Sequence, residues 1–366
     1  MLVTIVTCFE SNEERARFVY DACLSRGYAA KVITTDFSHM RKVRRDNIPA
    51  DFEAVSARAY QKNMSLSRLL SHRRFAKDAF RLIEKQDPDL LWVIAPANSL
   101  IKEADSYKKK HPHTKIIIDI IDMWPESLPV SFNKDILPFR IWRNVRRNHI
   151  GCADHLVSEC DLYQEILKEE YEGPISTIRW ARDSKAPVAS EVPSDEVFSL
   201  CYIGSINNII AADKIAAIIS SLERKTIVHV IGEGENTASF LKTLKEVCEV
   251  VYHGPIRDEK KKAAIFGKCH AGINIYKDGL YIGLTVKCID YLEHGLPLIS
   301  NIRGDTWKLV ADEGIGVNVG DDLRIDADKI IALRRHNEHI REVYNKYFTK
   351  EVFVAACLKV IDEVCG

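Results

Sequence analysis

The run His270–Ser300, HAGINIYKDGLYIGLTVKCIDYLEHGLPLIS, admits few folds. Ala271–Tyr276 is a short apolar strand, Lys277–Leu284 a loop, and Val286–His294 a helix by its apolar spacing. The helix must stop at Gly295-Leu296-Pro297, where glycine supplies the C-cap and proline forbids continuation. A second strand follows at Leu298–Asn301. Strand, loop, helix and strand make the repeating unit of a parallel α/β sheet. In such sheets a loop feeding a helix N-terminus is a place for an anion. Lys287 and Asp290 lie three apart and share a helix face, a cation for phosphate beside a carboxylate for sugar hydroxyls.

The same alternation runs through the chain. Leu2–Thr7, Ala30–Thr34, Leu90–Ile94 and Lys115–Ile121 read as strands, with helices at Glu13–Arg26, Ser67–Lys85 and Lys102–Lys110 between them. The stretch Glu172–Ser194 holds Gly173, Pro174, Pro187 and Pro193, and is expected between domains. The pattern then restarts. Phe198–Ile203 ends at Gly204, Ile227–Ile231 at Gly232-Glu233-Gly234, and Val250–His253 at Gly254; helices are expected at Ala211–Leu222 and Ala238–Val247, and Gly316–Val319 is a late strand. A chain of 366 residues exceeds one comfortable core, so two domains are predicted: residues 1–180 and 195–345, followed by a terminal helix over 346–366.

Charge is balanced overall, which argues against nucleic acid as a partner. It is uneven along the chain. Residues 1–150 hold 26 Lys and Arg against 18 Asp and Glu, and the remainder carries the opposite imbalance. A basic first domain suits a phosphorylated acceptor or an anionic membrane face; scattered solvated charge accounts for it equally. Arg140, Arg143 and Arg147 share a helical face and pose the same choice between peripheral membrane contact and a solvated helix. Ten cysteines form no Cys-x-x-Cys, a pattern of reduced thiols and a cytoplasmic setting. No apolar run reaches the length of a membrane helix, and Leu2–Thr7 is strand-like from the start, so no leader is expected. No His/Cys set has zinc spacing, and the triplets Asp87-Pro88-Asp89 and Asp326-Ala327-Asp328 read as turns or caps rather than metal ligands.

Several further motifs end predicted strands, where ligands of doubly wound sheets bind. They are Tyr202-Ile203-Gly204-Ser205, Gly232-Glu233-Gly234, His253-Gly254-Pro255-Ile256, Gly304-Asp305-Thr306 and, in the first half, Asp122-Met123-Trp124-Pro125-Glu126-Ser127. Each is also readable as an ordinary strand-to-helix turn, and His253 as a structural histidine. Asp119, inside an apolar strand, requires a partner.

Taken together, Thr285-Val286-Lys287, Asp290-Tyr291-Leu292 and the Gly-x-Pro stop resemble the nucleotide-sugar site of glycosyltransferase family 4 enzymes, which have the GT-B fold. The run Gly304–Gly316 and the segment Asp122–Ser127 are similar to the capsule and surface-polysaccharide branch. The resemblance spans nearly the whole chain. It implies two facing Rossmann-like domains, with the terminal helix crossing back to the first. It implies retaining transfer of a sugar, UDP-linked, to a saccharide or lipid-linked saccharide acceptor, with neither metal nor separate cofactor. The donor pyrophosphate would lie by Gly204 and Ser205. Many members carry Arg after that glycine and a Lys downstream, whereas here no basic residue precedes Lys214, leaving Lys287 as principal cation. Gly232 and Glu233 match a Gly-acidic-Gly turn. The backbone of His253, Gly254 and Ile256 would read the base. Thr285 and Val286 open the phosphate-facing helix, and Gly304 and Asp305 would meet the distal phosphate or sugar. Asp290 stands for the second of the family's two glutamates; the first falls on Ile282. Asp122 would touch sugar hydroxyls. Two other readings stay open: a GT-B epimerase of UDP-N-acetylhexosamine recruiting Asp122, Glu126 and His253, and a partner subunit that keeps the fold without catalysis. No Gly-x-Gly-x-x-Gly follows a strand, which argues against an NAD enzyme.

Overall fold

The computed structural model describes residues 1–63, 65–128, 136–183 and 193–366. Residues 184–192 of the expected interdomain stretch, Pro187 among them, lie outside these. The chain forms two compact units, Met1–Trp180 with Lys350–Gly366, and Ala181–Thr349.

The first unit opens with β1 (Leu2–Thr7), α1 (Glu13–Ser25) and β2 (Ala29–Thr35). A small antiparallel pair follows, β3 (Phe37–Ser38) with β4 (Val43–Arg44), and then β5 (Phe52–Val55). Next come α2 (Leu66–Gln86), β6 (Leu90–Ala95), α3 (Asn98–Lys110), β7 (Lys115–Ile120), α4 (Leu137–Arg147), β8 (His155–Ser158), α5 (Asp161–Leu167) and β9 (Ile175–Thr177). The sheet order is β5-β2-β1-β6-β7-β8-β9, parallel throughout. Its central strand β6 is an unbroken apolar run, and β7 is buried from Ile116 onward with Asp119 its one buried polar residue, because helices cover both faces of such a sheet.

The second unit repeats the plan with β10 (Phe198–Ile203), α6 (Ala212–Ser220), β11 (Thr226–Ile231), α7 (Thr237–Lys245), β12 (Glu249–Gly254), α8 (Glu259–Phe266), β13 (Ala271–Asn274), α9 (Val286–Glu293), β14 (Leu298–Ser300), α10 (Asp305–Glu313) and β15 (Gly316–Asn318). Helices α11 (Ala327–Arg335) and α12 (Asn337–Tyr347) complete it. The order β12-β11-β10-β13-β14-β15 is again all parallel and reverses direction between β10 and β13. A ligand of a doubly wound sheet binds at such a reversal, beyond the strands' carboxyl ends.

The last helix, α13 (Lys350–Cys365), belongs to the first unit. It buries Phe353, Cys357, Val360 and Ile361, and Phe353 meets Phe18 of α1 edge-on at 5.4 Å. Arg15 of α1 is wholly buried. Its Nε and Nη2 donate to the two carboxylate oxygens of Asp119 at 2.7 and 2.8 Å, and its guanidinium lies 4.9 Å from the Phe353 ring. Trp92 Nε1 donates to Asp119 as well, so the acid inside β7 is partnered.

Three elements differ from expectation. Helix α3 starts at Asn98 rather than Lys102, because Leu100 and Ile101 turn inward and extend its buried face. The terminal helix expected over 346–366 starts only at Lys350: Phe348 is buried, and its carbonyl accepts from the Arg182 amide at 2.9 Å before α13 begins. The Pro/Gly-rich stretch over 172–194 begins as sheet, with β9 pairing β8.

Candidate functional site

Lys287 is the second residue of α9, after the N-cap Thr285. Only 9% of it is exposed, and its Nζ finds no hydrogen-bond partner or carboxylate among the described residues. The ammonium lies 4.2 Å from the Tyr202 ring centroid and 4.8 Å from that of Tyr276. Tyr202 belongs to β10 and Tyr276 follows β13, so the lysine stands over the sheet's reversal point. A Cβ built on Gly204 would approach its Cε at 3.5 Å and its Nζ at 3.9 Å. Burial without an anion pulls the Lys287 pKa down to about 7. The ring faces offset part of that cost.

The scaffold that holds this cation is polar and specific. The Tyr291 hydroxyl of α9 accepts from the Ile203 amide at 2.9 Å and faces the carbonyls of Cys201 and Ile273 at 3.1 and 3.2 Å. One phenol therefore pins α9 against both strands flanking the reversal. Thr285 donates to Asn274 Oδ1 at 3.0 Å, and Asn274 donates to Ser300 at 3.1 Å. Thr306 donates through its amide and hydroxyl to the Gly283 carbonyl, each at 2.9 Å, which ties the start of α10 to the loop ahead of α9.

On the other side, three strand-ending turns nest. Gly204 N–H donates to Ile231 O, Ile206 N–H to Glu233 O, and Gly232 N–H to Gly254 O, at 3.0, 3.1 and 2.8 Å. Gly232 has φ +127°, and a Cβ there would meet the Gly204 carbonyl at 2.1 Å. Glycine is required because two backbones touch.

The structure thus brings Gly204, Ser205, Gly232, Glu233 and Gly254 into one rim. Lys287 leans from α9 against Gly204 of that rim, with Thr285 and Val286 beside it in sequence. Gly304 is the N-cap of α10, and Asp305 is buried in its first turn. Ile256 is half-buried beyond β12. The side chain of His253, near the end of β12, turns to His229 of β11. Its Nε2 lies 3.0 Å from His229 Nδ1 with the rings stacked, and burial holds both imidazoles below their usual pKa, His229 down to about 4. Asp290 is buried. Its Oδ1 accepts from Arg182 at 3.3 Å and lies 3.8 Å from Lys262, while Oδ2 has no hydrogen bond among the described residues. Ile282, at the place of the first family glutamate, packs on the second unit's apolar core.

In the first unit, Asp122 is half-buried and bonded within its own turn. Trp124 Nε1 donates to Oδ2 at 2.6 Å, Ser127 donates to Oδ1, and burial pushes the carboxyl pKa up. Three cations of α4 are likewise engaged: Arg143 with Glu126 at 2.7 Å, Arg147 with Glu170 at 2.8 Å, and buried Arg146 with both acids. No helix among the described residues is long and apolar enough to cross a membrane.

Three tyrosines escaped the sequence reading. Tyr202 and Tyr291 stand inside quoted motifs, but nothing in their spacing shows that one ring cradles Lys287 and one hydroxyl locks α9. Tyr276 carries no signal beyond ending an apolar run.

No family model matches the sequence, and no curated protein does. Solved structures do. Sucrose-phosphate synthase from Thermosynechococcus elongatus superposes with a TM-score of 0.68 at 12% identity, over 99% of this chain and 98% of that one. The lipopolysaccharide outer core galactosyltransferase WaaB gives 0.67 at 12% identity, over 99% and 100%. HepE of Anabaena, solved with UDP and glucose, gives 0.64 at 10% identity, over 99% and 100%. These likenesses show the fold: two Rossmann-like α/β domains of the GT-B type.

Proposed function

We propose that this chain is a retaining, metal-independent glycosyltransferase that moves a sugar from a UDP-sugar to a saccharide acceptor, in surface polysaccharide or glycoconjugate assembly. The observation that carries the reading is Lys287, a buried ammonium without an anion, held over the sheet's reversal point and beside a helix N-terminus. A buried charge of that kind is expensive until a ligand pairs it. A nucleotide diphosphate supplies the missing charge.

In this reading Lys287, the Gly204 turn and the α9 N-terminus bind the diphosphate and stabilise it as it leaves. The sugar's anomeric carbon passes through an oxocarbenium-like state. The bond to the phosphate oxygen breaks with its electron pair staying on the diphosphate, and an acceptor hydroxyl forms the new glycosidic bond as its proton passes to the departing phosphate oxygen. Asp290, braced by Arg182 through Oδ1, accepts from ribose through Oδ2. The backbone of His253, Gly254 and Ile256 faces the base, with Gly232 and Glu233 beside it. Gly304 and Asp305 meet the distal phosphate or sugar. The setting would be cytoplasmic, and a lipid-linked acceptor would bring the chain to a membrane face through Arg140 and the exposed Leu137 and Ile141, because Glu126 and Glu170 hold Arg143 and Arg147.

Calorimetric titration with UDP, GDP and NAD tests the reading. Selective UDP binding, weakened by Lys287→Ala and by Asp290→Ala, is expected. GDP selectivity would change the donor class. Absence of any nucleotide binding to folded protein would remove the transferase reading and favour the partner subunit, to which the apolar Ile282 already points. Acceptor-dependent UDP release separates transfer from epimerisation.

A further inference from the structure

A second group of unsatisfied polar side chains lies in the first unit, past the carboxyl ends of its strands. Phe9 follows β1, His39 follows β3, Tyr60 follows β5 and Trp124 follows β7, while Arg68 and His72 come from the first two turns of α2. The rings pack into one floor. The centroids of Phe9 and His39 are 4.5 Å apart, those of His39 and Tyr60 5.5 Å, and those of His72 and Trp124 6.0 Å.

Two cations rest on this floor. The Arg68 guanidinium is 4.5 Å from the Trp124 ring and Lys42 Nζ is 4.7 Å from the Tyr60 ring. Their protein partners are neutral oxygens. Arg68 Nη1 donates to the Asn63 carbonyl at 3.1 Å, and Lys42 donates to Asn63 Oδ1 at 2.5 Å and to the His39 carbonyl. The carboxylates whose field reaches them are engaged elsewhere. Glu10 accepts from Ser38 and from the amides of His39 and Met40, and Asp122 from Trp124 and Ser127. Neither cation forms an ion pair among the described residues. Burial lowers both below their usual pKa, and the Arg68 charge lowers Lys42 further.

Three buried nitrogens complete the picture. Arg68 Nε, His39 Nε2 and His72 Nε2 have no hydrogen-bond partner among the described residues. With Nη1 spent on Asn63, the remaining edge of the Arg68 fork, Nε with Nη2, is the one that grips a carboxylate or phosphate with two parallel hydrogen bonds. His39 and His72 stay neutral near pH 7 because burial pulls His39 down to about 4 and His72 lower than usual as well. Neutral imidazoles add hydrogen bonds without adding charge.

We propose that Arg68 and Lys42 form an anion subsite that selects an acidic saccharide as acceptor, a sugar bearing a phosphate or a carboxylate. The acceptor role rests on the transferase reading above; the anion subsite does not. The test is titration of the full chain with glucose, glucuronate, glucose 6-phosphate and inorganic phosphate, with UDP binding measured in parallel. At least one acidic sugar should bind ten times more tightly than glucose. Glucuronate against glucose 6-phosphate tells carboxylate from phosphate, and phosphate alone reports the anion's share. Arg68→Gln and Lys42→Gln should each reduce the preference tenfold or more, with UDP affinity and melting temperature unchanged. Equal binding of neutral and acidic sugars, no binding of any acidic sugar to a chain that binds UDP, or a preference that survives both substitutions would overturn the proposal. Acidic-sugar selectivity in a chain that binds no nucleotide would uphold the subsite and remove the transferase reading.

Discussion

Lys287 is a charge held where charge is disfavoured, and its titration gives the proposal a sharp consequence. Its pKa of about 7 in the folded state lies below the unfolded value, and desolvation is the cause. Tyr202, Tyr276 and Cys288 face it, and burial raises all three, so none competes for a proton near neutrality. An anion favours the ammonium form. At pH 8, where the phosphates of UDP are already ionised, binding should therefore take up close to one proton. Calorimetry in two buffers of different ionisation enthalpy measures that number; equal heats would refute the assignment. Lys287→Met should abolish the uptake and weaken UDP by about 1.5–3 kcal/mol, the usual worth of a hydrogen bond to a charged group. The same substitution should stabilise the unliganded chain, by about 1 kcal/mol. The sign follows from linkage. Between pH 7 and the unfolded pKa the unfolded chain binds the extra proton, so wild-type stability rises with pH there. The advantage of Met is largest below pH 7 and shrinks above it.

At the scale of elements, the site is a set of turns that allow no side chain in some places and tolerate one in others. Gly232 and Gly254 both have positive φ, +127° and +67°, yet their surroundings differ. A Cβ at Gly232 would strike the Gly204 carbonyl, while at Gly254 nothing among the described residues lies within 4 Å. Gly232→Ala should combine backbone strain with a clash, costing roughly 3 kcal/mol or more and disrupting the Gly204 turn. Gly254→Ala carries only the left-handed penalty, about 1 kcal/mol. Chemical denaturation of the two variants, with UDP titration alongside, compares them; equal losses would contradict the packing. These turns were legible in the sequence because glycine ends an apolar run for few reasons. The stop of α9 was legible too, and Gly295 there has φ +67°. What the sequence hid were meetings between distant segments. Lys287 reads as a helix-face cation until Tyr202 of β10 and Tyr276, just past β13, close over it. The partner of the His253 side chain, His229, is a neighbour only through parallel register. Edge strands such as β9, short and half-buried, carry too little pattern to separate from a linker.

At the scale of the molecule, the chain builds one sheet, then another, and returns to finish the first unit. Helix α13 supplies Phe353 against Phe18 and against Arg15, whose pairing with Asp119 reaches into β7. Arg15 also donates to the Ile178 carbonyl at 2.9 Å, so the helix, the sheet and the segment leaving β9 share one buried ion pair. Burying Phe353, Val360 and Ile361 contributes about 1.5–3 kcal/mol for each side chain. Their removal should therefore take away a large share of the roughly 5–15 kcal/mol margin of an ordinary domain. Deleting residues 350–366 leaves Arg15 and Asp119 half uncovered and exposes the inner face of α1. Hydrogen exchange should then show lost protection in β1, α1 and β7, with β10, β11 and α9 retaining theirs. Nucleotide acts on the opposite set. UDP at a hundredfold excess over its dissociation constant adds about 2.7 kcal/mol to whatever state binds it, and its added protection should fall on the Gly204 and Gly232 turns and the start of α9. Loss of protection in β10 and α9 on deleting the helix would mean that α13 supports the second unit, against its contacts. Protection by UDP confined to β1 and α2 would move the nucleotide to the other unit, and Lys287 would then need a different anion.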